Sequence, residues 1–107
     1  MFVFHKDSEL TELGGGVSRR VLSHSEDMMA VEVLFEEGAI GALHSHPHVQ
    51  ISYVLDGVFE ADIGVEKRII SVGDTYYTEP NVVHGVKCLE KGRLLDVFTP
   101  ERKDFLK

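Results

Sequence analysis

Histidine is the side chain in this sequence best suited to hold a metal near neutral pH, and its placement is uneven. Three of the six histidines, His44, His46 and His48, fall within five residues of the stretch GAIGALHSHPHVQISYVLDG at positions 38–57. A neutral imidazole offers a nitrogen lone pair, which suits divalent first-row metals. Side chains on an extended strand alternate between faces, so His44, His46 and Gln50, all at even positions, are expected to project into one interior. Two imidazoles two residues apart can chelate one ion. His48 follows Pro47, which interrupts strand geometry, and is expected at the rim or behind the ligands. Any one histidine is more simply a structural or surface residue. Three of them beside an apolar, β-prone run carry the metal reading.

Two imidazoles do not close a coordination shell. His84 is the best further donor: it sits in TEPNVVHGV, where Pro80 and Asn81 turn the chain back and Gly85 admits a neighbouring backbone. His5 and His24 lie in polar or irregular stretches and are expected to be solvated. Three nitrogen donors and the Gln50 oxygen select a divalent first-row ion (zinc, nickel, manganese or iron) over calcium or magnesium, which favour oxygen-rich shells. A neutral ligand set leaves the ion its full positive charge, the condition for a Lewis acid.

The elements that must position these residues are strands. From Val17 onward, short β runs alternate with turn signals: VSRRVLS, MMAVEVLFE, the histidine stretch into QISYVLDG, VFEADIG, EKRIISVGD, TYYTE, HGVKCLE and GRLLDVF. Val31, Val33 and Phe35 alternate with Glu32, Leu34 and Glu36, the pattern of a half-buried strand. Asp56 and Gly57 read as a hairpin turn, and Gly64 and the pair Gly73 and Asp74 as further turns. No helical period lasts three turns outside the charged tail ERKDFLK. The expectation is an all-β single domain over residues 1–107, a jelly roll or closed sandwich. Residues 1–12 show no clear period, although FVF at 2–4 suits an edge strand or a contact with a second copy. The glycines at 14, 15 and 16 form a turn and not a phosphate loop, because no helix and no Lys-Ser/Thr pair follows them.

Composition narrows the partners. The formal net charge is −7 and the basic residues are scattered, so there is no stripe to bind a nucleic-acid backbone. An acidic chain repels an acidic ligand at long range, so an anionic substrate would require a metal or a placed arginine. Cys88 is the single cysteine, which leaves no intrachain disulfide and fits a reducing, cytoplasmic setting. No apolar run approaches the ~18 residues that cross a bilayer, and no secretory leader is expected.

The stretch at 38–57 resembles the first cupin motif, with Gly38, His44, His46, Gln50 and Gly57 in place. GDTYYTEPNVVHGVKC resembles the second, with Gly73 and His84; Glu79, Asn81 and Cys88 stand where the family more often has proline, glycine and asparagine. Cupins are jelly rolls built as a double-stranded β-helix. LGGGV, HSHPHVQISYVLDG, PNVVHG and LLDVFTPERKDFL together are similar to the KdgF family of pectin degradation proteins. That resemblance implies a metal-dependent conversion of 4,5-unsaturated uronate monosaccharides, from pectin or alginate, to the linear keto form. It places the metal on His44, His46, Gln50 and His84, and catalysis on Asp96, Phe98 and Arg102. Asp96 is then the candidate base and Arg102 the candidate carboxylate grip, whereas Phe98 reads more simply as a core aromatic. Small cupins commonly pair, so a homodimer is expected. An oxygen-dependent metal cupin and a non-catalytic sugar-acid binding module are the competing classes.

Overall fold

The computed structural model describes residues 1–106, and among them the regular structure is antiparallel strand with no α-helix. The strands are β1 (Leu10–Gly14), β2 (Val17–His24), β3 (Met29–Phe35), β4 (Ile40–His44), β5 (Val49–Ile63), β6 (Glu66–Ser71), β7 (Thr75–Thr78) and β8 (His84–Thr99). Short 3₁₀ turns occupy His5–Asp7 and Lys103–Phe105. The tail therefore makes a single 3₁₀ turn where its charge pattern admitted a longer helix.

Two long strands organise the molecule. β5 and β8 pair from Val49 opposite Thr99 to Ile63 opposite His84, with register shifts between Val54 and Phe59. Residues 49–56 lie between β7 and residues 93–99 of β8, and that sheet continues through β3 and β2 to β1. Residues 58–63 lie between β6 and residues 84–90 of β8, which pairs onward with β4. Two facing sheets thus share the same bent strands, as in a jelly roll.

The bend corrects one expectation. Asp56 and Gly57 do not turn a hairpin but lie inside β5, and HGVKCLE and GRLLDVF are one strand. Gly57 has φ +87°, and a Cβ there would lie 2.6 Å from the Glu90 carbonyl oxygen. Glycine is demanded by the bulge and the close passage of β8, not by chain reversal.

The N-terminal region also differs. FVF is not a strand; Phe2 and Phe4 stack with ring centroids 6.3 Å apart and lie exposed ahead of the first 3₁₀ turn. β1 was not apparent in the sequence because all its residues are exposed, which leaves no apolar period to read. The three glycines do make its turn into β2, each with positive φ.

Between the sheets, Val17, Phe35, Val54, Phe59, Cys88 and Leu94 form the main core, with Phe35 and Phe59 edge to face at 5.2 Å. Burying each large apolar side chain contributes roughly 1.5–3 kcal/mol. Met29, Val31 and Phe98 form a second cluster toward the histidines. Glu32, expected on the solvent side of β3, is only 4% exposed. It accepts hydrogen bonds from Arg93 Nη1 at 2.6 Å and from His5 Nε2 at 3.1 Å, so His5, exposed as expected, also bonds across the outer face of the sheet.

Candidate functional site

His44 ends β4, His46 lies in the loop that follows, Gln50 is near the start of β5, and His84 opens β8. His44 and His46 do not share a strand, as the parity argument supposed; the loop carries His46 inward. Register does the rest, setting His44 opposite His84. Gly85 permits this, since a Cβ there would lie 2.7 Å from the Gly41 carbonyl oxygen. Asn81, with φ 65°, turns the preceding loop and donates its backbone N–H to His46 O at 2.7 Å.

The ligating atoms of His44, His46 and His84 lie within 4.8 Å of one another. Each Nδ1 donates to a backbone carbonyl: His44 to Ala42 at 2.9 Å, His46 to His48 at 3.1 Å, and His84 to Val82 at 2.9 Å. That tautomer leaves the Nε2 lone pairs free. Gln50 Oε1 lies 3.0 Å from His46 Nε2 and 3.1 Å from His84 Nε2. Lone pairs on imidazole nitrogens facing an amide oxygen make a set of acceptors without a donor, which a cation satisfies. The residues present therefore fit a divalent ion.

The amide is oriented from behind. Gln50 Nε2 donates to Ser52 Oγ at 2.9 Å, and Ser52 Oγ donates to Asp96 Oδ1 at 2.6 Å. Burial pushes the His84 pKa down to about 4 and lowers that of His46, keeping both neutral and able to ligate. Burial also pushes Asp96 up to about 6, against the opposing effects of the Ser52 hydrogen bond and the Arg102 charge. Asp96 lines the cavity next to these ligands.

That cavity, of about 260 Å³, is lined by His44, Gln50, His84, Asp96, Phe98 and Arg102, among others. His46 packs edge-on against Phe98, with ring centroids 5.7 Å apart. Phe98 is 2% exposed, a core residue whose ring also forms cavity wall. Arg102 is committed to Asp104, with Nε to Oδ1 at 3.0 Å and Nη2 to Oδ2 at 2.8 Å. His48 does not face the cluster of lone pairs. Its Nε2 donates to the Glu101 carbonyl at 3.1 Å, and His24, expected to be solvated, meets the Glu101 carboxylate at 2.8 Å. These contacts pin the tail that carries Arg102.

Sequence reasoning missed Ser52, Tyr76, Arg19 and Phe105, of which all but Ser52 line the cavity. Ser52 shares its face of β5 with Gln50 and pairs with Tyr76 on one side and Asp96 on the other. The signal was present in the parity of positions 50 and 52 but had no meaning without the partner strands.

A jelly roll with three histidines and a glutamine converging at one end of its two sheets is the architecture of a cupin, and the chain belongs to the cupin domain family, whose model matches residues 31–98. It is 50% identical over 97 residues to the pectin degradation protein KdgF of Dickeya dadantii, covering 89% of this chain and 88% of that one. The structure of KdgF from a Halomonas species superposes with a TM-score of 0.95 at 36% identity, covering 99% of this chain and 100% of the other. An RmlC-like cupin from Shewanella frigidimarina gives 0.95 at 37% identity, over 98% and 95% of the two chains.

Proposed function

We propose that this cupin acts in pectin degradation as a metal-dependent enzyme that opens 4,5-unsaturated uronate monosaccharides to their linear keto form. The carrying observation is the chain Gln50, Ser52, Asp96, which links the candidate ligands to a carboxyl group with a raised pKa in the same cavity. The likeness to the pectin degradation protein KdgF supports a role in pectin breakdown, whose fragments include unsaturated uronates.

The chemistry is an isomerisation and needs no oxidant. In the cyclic sugar, C1 carries a hydroxyl and the ring oxygen, and the ring oxygen is also attached to the C4=C5 double bond. Asp96, ionised, takes the proton of the C1 hydroxyl; the C1–O bond to the ring oxygen breaks with its electron pair on that oxygen, leaving an aldehyde at C1 and an enolate at C5. The enolate gains a proton at C4 as the C5–O bond becomes the carbonyl, giving the ketone. Asp96, protonated by the first step, is placed to return that proton. The Ser52 hydroxyl holds the carboxylate in orientation through its 2.6 Å bond. Arg102, anchored by Asp104, adds positive charge beside Asp96 and favours its ionised form. The walls of Phe35, Leu94 and Phe98 exclude water and strengthen these interactions. A divalent ion held by His44, His46, His84 and Gln50 would supply Lewis-acid charge to the developing enolate.

Proton NMR of unsaturated galacturonate with the metal-loaded protein tests the reading. The expected result is loss of the vinylic C4 proton signal and appearance of the linear keto product faster than in buffer, with the acceleration removed by chelator. A substrate that stays cyclic, or turnover coupled to oxygen consumption, would overturn it.

A further inference from the structure

The cavity holds a second arginine that the mechanism above leaves without a task. Arg19 lies on β2 between Val17 and Val21, and strand parity turns all three inward: Val17 and Arg19 line the cavity, and Val21 packs on the cluster of Met29, Val31 and Phe98. A charge at an inward strand position is unfavourable unless an anion meets it. Among the described residues Arg19 makes no ion pair. Its guanidinium carbon lies 3.7 Å from the centroid of the Phe105 ring. Stacking of that kind uses the face of the guanidinium and leaves its edge N–H groups for another partner. Asp104 influences Arg19 only through space, since both of its oxygens bind Arg102 at 3.0 and 2.8 Å. Of the two cavity arginines, Arg102 has its fork filled and Arg19 has its fork open. Burial pushes the Arg19 guanidinium below its ordinary pKa, outweighing the opposing charge of Asp104.

We propose that Arg19 anchors the carboxylate of the substrate, an inference that rests on the uronate reading above. The two arginines then divide the work. Arg102 acts beside Asp96, and Arg19 takes the substrate carboxylate in a bidentate grip, setting the sugar so that its C1 hydroxyl meets the base. Phe105 supports both, since Arg102 also lies 4.3 Å from its ring centroid; the 3₁₀ turn of the tail thereby fixes the anchor from a different part of the chain.

The test compares unsaturated galacturonate with its methyl ester, using metal-loaded wild type, Arg19→Met and Arg19→Lys. Wild type should prefer the acid by about 10- to 100-fold in kcat/KM, the size of a lost hydrogen-bonded charge pair. Arg19→Met should erase that preference, mainly through KM, with metal content unchanged. Arg19→Lys should retain part of it. Active wild type together with an Arg19→Met protein that keeps the wild-type KM and acid-to-ester ratio overturns the role of Arg19 and leaves the proposed function standing. Wild type that converts neither compound overturns both. If Arg19→Met does not fold, Arg19→Lys decides: a reduced acid preference supports the anchor, and an unchanged one removes it.

Discussion

Asp96 and His84 are displaced by burial in directions that oppose each other in folding. Asp96 titrates near 6 in the folded chain, above the 3.8 of an unfolded carboxyl, so its unfavourable contribution grows as pH rises from about 4 and is complete above about 6. His84 titrates near 4, below the unfolded 6.5, so stability is lost as pH falls through that same interval. In the metal-free wild type the two slopes partly cancel. Asp96→Asn should therefore raise Tm at pH 7.5, and the gain should shrink toward pH 4, as calorimetry on chelated protein would show; a gain independent of pH contradicts the assignment. Ser52→Ala removes the group that turns the Gln50 amide, and metal affinity measured by competition titration should fall roughly 10- to 100-fold, the usual effect of losing a supporting hydrogen bond. An unchanged affinity would mean that Gln50 is held by other means. The candidate ligands were legible because their residue types and spacing are rare together. Ser52 and Asp104 were not, since each acquires its role from a partner that no spacing rule reveals: Asp96 across two strands, and Arg102 within an irregular tail.

Most strands could be read from their apolar content, but their continuity could not. Asp-Gly marks a tight turn and a bulge equally well, and only the passage of Glu90, Lys91 and Gly92 against Gly57 decides between them. Gly57→Ala should accordingly destabilise the fold by about 2–4 kcal/mol, combining the left-handed φ with a Cβ that meets backbone on β8. Urea denaturation would measure it, and a loss below about 0.5 kcal/mol, within the ordinary range of a neutral substitution, would show that the bend adapts. Glu32 was misplaced for a related reason. Strand alternation put it on the outer face correctly, but the N-terminal segment, Arg20 and Arg93 cover that face and bury it.

At the scale of the molecule, Ile51, Tyr53 and Tyr77 are exposed on the outer face of β5 and β7, and Met1, Met28, Ala30 and Val97 line an open apolar hollow nearby. Exposed apolar area of this kind on one sheet favours pairing with a second copy. Light scattering at micromolar concentration should return twice the chain mass, and Ile51→Lys should return it to the monomer; a wild-type monomer contradicts this. No helix among the described residues is long and apolar enough to cross a membrane. The central claim, that Asp96 is the base of a ring-opening site beside the histidines, is tested most directly by following the ultraviolet absorbance of the 4,5 double bond with metal-loaded wild type and Asp96→Asn side by side. Wild type should remove the absorbance faster than buffer, and Asp96→Asn, folded and with normal metal content, should be slower by roughly 10²- to 10⁴-fold. A folded, metal-loaded Asp96→Asn protein that works at the wild-type rate would contradict the account.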